Sequence, residues 1–226
     1  MIADNLEHVR ARIARACVDA ARPVESVTLL AVSKRFPAAA LREAVAGGQH
    51  RFGENLVQEA IDKIAALTDL RRTIEWHLIG PLQSNKTRPV AEHFDWVHTV
   101  DRVRIAERLS AQRPAHLPPL NVCLQVNTSG EPTKSGLAPA EVEAAARAVV
   151  ALPRLALRGL MAIPEPVEGH AAQRRAHRAL RELLTALQGH GYALDMLSMG
   201  MSDDLEAAIA EGATIVRVGT AIFGTR

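Results

Sequence analysis

Eight short, largely apolar runs recur along the chain, separated by polar, glycine- or proline-bearing stretches. They cover 27–33 (VTLLAVS), 50–53, 75–80, 95–99, 119–127, 155–163, 193–198 and 214–218. Most carry Val, Ile or Leu without strict polar alternation, the pattern of strands buried on both faces of a parallel sheet. Between them apolar residues fall three and four apart, the helical period. This predicts helices over 38–47, 55–70, 84–92, 102–112, 139–151, 170–189 and 203–211. Leu56, Ala60, Ile61, Ile64 and Leu67 form one such stripe, and Ala176, Leu180, Leu183, Leu184 and Leu187 another. A further helix precedes the first strand, with Ile2, Leu6, Val9, Ile13 and Ala16 on one face. Pro139 suits a first helical position, and Gly189, Gly191 and Gly212 suit helix ends.

Eight strands, each followed by a helix, predict an α/β chain folded as a (β/α)8 TIM barrel with an extra N-terminal helix, one domain over residues 1–226. An open doubly wound sheet is the alternative, but the first strand–helix turn carries no GxGxxG. Composition adds exclusions. With aromatic residues at 3%, the core has to be built from Ala, Leu, Val and Ile. A net charge of +2, with both signs interspersed, speaks against a nucleic-acid partner; the densest basic patch, 174–181, reads as a solvated helix face. Cys17 and Cys123 lie far apart, and the nine histidines show no ligand spacing, so neither disulfide nor metal is expected. The N-terminus has no leader pattern, and no apolar run is long enough to cross a bilayer. A cytoplasmic protein without a membrane partner is expected.

In a barrel, ligands bind at the C-terminal ends of the strands. Lys34 ends the first apolar run there, where a desolvated amine could form a Schiff base with an aldehyde; the plain alternative is a lysine snorkelling to solvent. At the seventh and eighth strand ends, Ser198 and the Gly219-Thr220 turn offer hydroxyls and backbone N–H groups to a phosphate, or are ordinary turn residues. Arg217 interrupts an apolar strand, which calls for a buried partner or a ligand. Asn55 either caps the next helix or turns its amide to the mouth. Ser202 with Asp203 and Asp204 reads as a helix cap. His77 reads as a satisfied core histidine and Met161 as packing, while Lys86 and Lys134 are further lysines at strand ends.

Several segments together resemble one family. They are Val32-Ser33-Lys34, Phe52-Gly53-Glu54-Asn55, Trp76-His77-Leu78-Ile79-Gly80 with Leu82-Gln83-Ser84-Asn85-Lys86, Gly159-Leu160-Met161-Ala162-Ile163-Pro164, and the block from Leu197-Ser198-Met199-Gly200 to Arg217-Val218-Gly219-Thr220. The chain resembles the pyridoxal phosphate homeostasis proteins, relatives of the alanine racemase barrel. The resemblance implies that Lys34 holds pyridoxal 5′-phosphate as a Schiff base. It further implies that Ser198, Gly219 and Thr220 bind the phosphate with the Met199-Gly200 backbone nearby, that Arg217 faces the pyridine nitrogen, and that Asn55 lies beside the ring. Two departures stand out: Phe36 occupies a position where many relatives carry a lysine, and the sequence ends at Thr225-Arg226 without the lysine-bearing tail of some relatives. A secondary cofactor site on such lysines is therefore not implied, though Lys86 and Lys134 remain available.

An arginine on the pyridine nitrogen cannot serve as the acid that makes the cofactor a strong electron sink. Racemases of the resembled family also draw a second base, a tyrosine, from another domain across a dimer, whereas Tyr192 is expected at the wrong end of the seventh strand. The expectation is a non-catalytic, monomeric carrier of pyridoxal 5′-phosphate in vitamin B6 homeostasis and amino-acid balance, handing the cofactor to apo-enzymes. A pyridoxal-phosphate-dependent amino-acid racemase is the alternative. A cofactor-free barrel enzyme using Lys34 on a carbonyl substrate is a third reading.

Overall fold

The computed structural model of the chain describes residues 1–131 and 134–224. Eight parallel strands close into a barrel in sequence order. They are β1 (Thr28–Val32), β2 (Arg51–Glu54), β3 (Glu75–Leu78), β4 (Trp96–Val100), β5 (Leu120–Gln125), β6 (Leu155–Met161), β7 (Met196–Ser198) and β8 (Ile215–Val218). The barrel closes by pairing β1 with β8, Leu30 opposite Arg217 and Ala31 opposite Val218. All eight predicted strands are present, four of them (β1, β3, β5 and β6) trimmed at the mouth end. The 119–127 run stops at Gln125 and the 155–163 run at Met161, because the chain leaves the sheet there to form the mouth loops.

The helices are α1 (Ile2–Asp19), α2 (Ala38–Ala46), α3 (Val57–Ala66), α4 (Thr87–His93), α5 (Val103–Gln112), α6 (Val142–Val150), α7 (His170–Gly189), α8 (Leu205–Ala210) and a final turn, α9 (Thr220–Phe223). The stripe of α1 buries Leu6, Val9, Ile13, Ala16 and Cys17, and this extra helix packs on α2, α8 and α9. Pro139 opens a 3-10 turn that leads into α6, as its fixed φ and missing N–H favour. The stripe on α3 is rotated from expectation: Val57, Ala60, Lys63 and Ile64 are buried, whereas Leu56 is exposed. The basic patch of α7 is also more than a solvated face. Arg174, Arg178 and Arg181 all reach Glu211, which is wholly buried. Burial alone would raise that carboxyl, but hydrogen bonds from Arg178 and Arg174 outweigh it and hold it below the usual range.

Most apolar burial lies between the sheet and the helices. The barrel interior is different. Trp96, Cys123 and Met161 form a small separate cluster with Met196 packed on it. Beside it the buried set includes His77, His98, Ser198 and Arg217, where aliphatic layers are the common filling.

Candidate functional site at the C-terminal mouth

Lys34 lies two residues beyond the end of β1, in a turn closed by the Phe36 N–H donating to the Ser33 carbonyl at 3.0 Å. Arg35, the third residue of the turn, has φ 64°, a conformation that costs a side-chain-bearing residue about 1–3 kcal/mol and persists only where its surroundings impose it. They do so here. The Arg35 N–H donates to Glu59 Oε1. Lys63 Nζ, in the buried stripe of α3, donates to the Ser33 carbonyl (2.8 Å), Glu54 Oε1 (2.7 Å) and Glu59 Oε1 (2.7 Å). The Ser33 hydroxyl donates to the same Glu54 oxygen at 2.6 Å. Burial pushes the Glu54 carboxyl above its ordinary range despite the opposing bonds from Lys63 and Ser33. The peptides flanking Lys34 are thus held from beneath by a buried ionic cluster. The side chain of Lys34 is itself exposed, so the desolvated amine of the sequence reading is not what the structure presents. The turn carries the lysine past the last buried residue, Ser33, and out over the mouth.

Across the β1–β8 seam, a Cβ on Gly219 would come within 3.1 Å of the Val32 carbonyl oxygen, so glycine lets the two strand ends meet. Gly219 precedes α9, whose first N–H groups have no acceptor inside the helix; the Thr220 side chain is exposed beside them. Phe36 stacks on Phe223 of α9 with ring centroids 4.9 Å apart, fastening the Lys34 turn to the Gly219-Thr220 turn. After β7, Gly200 takes φ 92°, and its carbonyl accepts the Arg217 N–H at 2.9 Å. Asn55 does not cap α3, whose N-cap is Leu56; its half-buried amide makes no hydrogen bond to any described residue. The structure therefore brings Lys34, Asn55, Gly200, Gly219 and Thr220 to one mouth.

Ser198, Met199 and Arg217 face elsewhere. The Met199 side chain is buried, and its N–H donates to the Ile215 carbonyl. Arg217 is buried, and its Nη1 donates to the Ser198 carbonyl (2.6 Å) and hydroxyl (2.8 Å), its Nη2 to the Ala162 carbonyl (2.9 Å). Burial lowers its pKa to about 10, still a cation at neutral pH. Ser198 Oγ also meets His98 Nδ1 at 2.7 Å, His98 Nε2 meets His77 Nδ1 at 2.9 Å, and His77 Nε2 meets Glu75 Oε1 at 2.8 Å. The Ser198 hydroxyl belongs to this interior network instead of facing the mouth. His98, Lys63, Glu59 and Glu75 are participants that sequence reading missed, and Phe36 stands out only as a departure from relatives; the signal for Lys63 is a charge at helical spacing inside an apolar stripe.

Burial pushes both imidazoles below the ordinary 6.5, His98 well below it. The unfolded chain therefore takes up protons that the native state refuses, so stability falls as pH drops below about 6.5. The slope approaches about 1.4 kcal/mol per pH unit for each group. Urea unfolding between pH 8 and 5 checks this: a His77→Gln, His98→Gln double variant gives a flatter profile, and equal slopes would contradict it. Asp204 titrates in a lower window. Burial would raise its carboxyl, but hydrogen bonds from His177 and the Met201 N–H hold it below its usual range. It is Asp204, and not Ser202, that stands at the N-cap of α8.

Of the other lysines, Lys86 is exposed at the start of α4 and Lys134 pairs with Glu131 at 2.6 Å. Pro132 and Thr133 of that loop, and Thr225 and Arg226, lie outside the described residues. Tyr192 precedes β7 and so sits away from the mouth. Cys17 and Cys123 are free and buried, and burial pushes the Cys123 thiol up to about 12. Among the described residues, no group of His, Cys, Asp and Glu is arranged to hold a metal, and no helix is long and apolar enough to cross a membrane.

Comparison with known proteins adds three findings. Residues 4–226 match the family model "Alanine racemase, N-terminal domain". The pyridoxal phosphate homeostasis proteins of Pseudomonas aeruginosa and Escherichia coli K12 are 63% and 56% identical to the whole chain, which spans 96% and 97% of their lengths. The solved structure of PipY from Synechococcus elongatus PCC7942 with PLP bound superposes with a TM-score of 0.87 at 43% identity, covering 99% of this chain and 100% of that one.

Proposed function

The chain belongs to the pyridoxal phosphate homeostasis proteins, within the alanine racemase N-terminal domain family, and from that premise we propose that it binds pyridoxal 5′-phosphate through a Schiff base on Lys34. The observation that carries this reading is the meeting of two features at one mouth. The Lys34 turn and the Gly219-Thr220 turn are joined by the Phe36–Phe223 stack and by the contact of Gly219 with Val32. A primary amine stands on one side and a turn of free backbone N–H groups with a hydroxyl on the other, a donor set suited to an aldehyde and a phosphate in one molecule. Bound pyridoxal phosphate supplies an aldehyde that an amine captures reversibly.

In this reading Lys34 Nζ forms the covalent link, and Gly219 and Thr220 hold the phosphate with the Gly200 turn alongside. Asn55 offers its free amide to the ring. Arg217 stands below as a fixed cation whose guanidinium donates hydrogen bonds and accepts none, which supports holding the cofactor over driving carbanion chemistry. The role proposed is that of a carrier. It limits the free aldehyde in the cytoplasm, passes it to apo-enzymes, and so bears on vitamin B6 and amino-acid balance without catalysis by the carrier itself. We take it to work as a monomer and a single domain.

The competing reading is an amino-acid racemase on the same lysine. Racemisation needs a base on each face of the substrate α-carbon, and Tyr192 precedes β7, at the far end of that strand from the mouth. Incubation of the pyridoxal-phosphate-loaded protein with L- and D-alanine in deuterated water separates the two. The carrier reading predicts α-hydrogen exchange no faster than with free pyridoxal phosphate and lysine. Steady exchange at enzyme-like turnover, about 1 s⁻¹ or more, would sink it.

A further inference from the structure

The interior network runs unbroken from Glu75, at the N-terminal end of the barrel, to Arg217 on β8, and its polarity is fixed from both ends. At the N-terminal end Glu75 lines a cavity of about 380 Å³ with Arg71, Asp95, Arg113 and Asn121. Burial would raise the Glu75 carboxyl, but the hydrogen bond from His77 with the charge and hydrogen bond of Arg51 hold it below its usual range. It therefore only accepts, and His77 carries its proton on Nε2. Burial disfavours the doubly protonated ring, so His77 Nδ1 accepts from His98 Nε2–H. His98 Nδ1 is then an acceptor in turn, and the Ser198 hydroxyl donates to it. From the other end, Arg217 has only donors, so Ser198 Oγ accepts from its Nη1. The two assignments meet at Ser198 without conflict: one lone pair faces Arg217 and the hydroxyl proton faces His98.

We propose that Glu75, His77 and His98 form a positioning relay for the cofactor mouth, fixing the Ser198 hydroxyl as the acceptor that aims Arg217. This rests on the pyridoxal phosphate reading above and assigns that site three supporting residues. Nothing in packing alone requires histidines here; apolar side chains fill such interiors, and buried polar groups are costly unless every member is paired. Every ring nitrogen of the relay is paired. The relay also forbids the Ser198 hydroxyl from donating to a phosphate while it is intact, which leaves the phosphate to Gly219 and Thr220.

Acid breaks the relay at a defined point. The groups facing His77 are Glu75, Asp95 and Arg51; those facing His98 are His77 and Arg217; those facing Arg217 are Asp204 and Cys123. A proton on His98 Nδ1 turns a second donor toward Ser198 Oγ, displaces the hydroxyl proton and sets two cations on one oxygen. Arg217 then keeps its bonds to the Ser198 and Ala162 carbonyls but loses the hydroxyl that completes its aim, and the cofactor is held less tightly at acid pH.

The test uses the whole chain and pyridoxal 5′-phosphate as probe, with binding followed by absorbance and by retention on dialysis from pH 8 down to about pH 4, because burial keeps His98 neutral until well below 6.5. His98→Leu, which leaves the Ser198 hydroxyl without its acceptor, should bind about 10-fold more weakly at pH 8 and lose the acid-dependent weakening. His98→Asn, which keeps an acceptor near the Nδ1 position, should recover most of the affinity. A thermal melt confirms that each variant is folded. Should His98→Leu not fold, ¹⁵N spectra of the wild type decide: both rings must be neutral and protonated on Nε2 at pH 7. Either ring cationic or protonated on Nδ1 would overturn the relay, as would equal affinity and equal pH profiles for His98→Leu and wild type. A wild type that takes up no pyridoxal phosphate would instead overturn the cofactor reading, and the relay's role with it.

Discussion

Lys63→Met destabilises the protein by about 3–5 kcal/mol at neutral pH, far more than loss of a surface ion pair, because Lys63 is the cation that neutralises a buried carboxylate. Its amine is nearly inaccessible and holds Glu54, Glu59 and the Ser33 carbonyl together. Methionine replaces the stem but leaves Glu54 buried with only the Ser33 hydroxyl as partner. The Glu54 carboxyl, already raised by burial, then rises further. A carboxyl whose native pKa exceeds its unfolded value contributes stability below the unfolded value, near 4.5, and loses it as pH rises through the native value. The deficit of Lys63→Met is therefore small at pH 4 and grows toward pH 8. Adding Glu54→Gln, which removes the buried charge, recovers part of it. Denaturant unfolding at several pH values measures all three states. A loss below about 1 kcal/mol, or one independent of pH, would mean that the cluster is not the clamp described.

The second large effect is at Lys34. Lys34→Ala leaves the fold intact, since the side chain is exposed and its turn is held through the backbone of Ser33 and Arg35. Retention of pyridoxal 5′-phosphate through dialysis falls by about 100-fold or more, the equivalent of about 2.8 kcal/mol. Lys34→Arg is the sharper control. It keeps a cation over the mouth but cannot give up a proton to become a nucleophile, so it fails as completely as alanine. Retention rescued by arginine would mean that charge, and not a covalent bond, holds the cofactor.

The barrel was legible because its strands are written as uninterrupted apolar runs and its helices as three-and-four spacings, both local signals. Lys34 and Arg217 were legible for the same reason in reverse: each is a charge that ends or breaks an apolar run. Gly219 and Thr220 followed from their place after the last strand. What escaped was nonlocal. The partner of Ser198 is His98, a hundred residues earlier, and no spacing in the chain links them. Glu59 and Lys63 look like an ordinary surface pair one helical turn apart; only the rotation of α3, burying Val57 and exposing Leu56, turns Lys63 inward. For Asn55 the sequence offers a choice between cap and mouth, and the backbone removes the first by placing Leu56 at the N-cap of α3. The arginines of α7 looked solvated because Glu211, which draws three of them together, lies some thirty residues further on.

The claim on which the rest depends is that Lys34, alone among the lysines of the chain, captures the cofactor. Reduction of the pyridoxal-phosphate-loaded protein with borohydride, followed by peptide mass mapping, tests it most directly. The account predicts one pyridoxyl-phosphate group per chain, on the peptide containing Lys34. A label on Lys86 or Lys134 instead, or unlabelled Lys34 in protein that retains the cofactor, would contradict it.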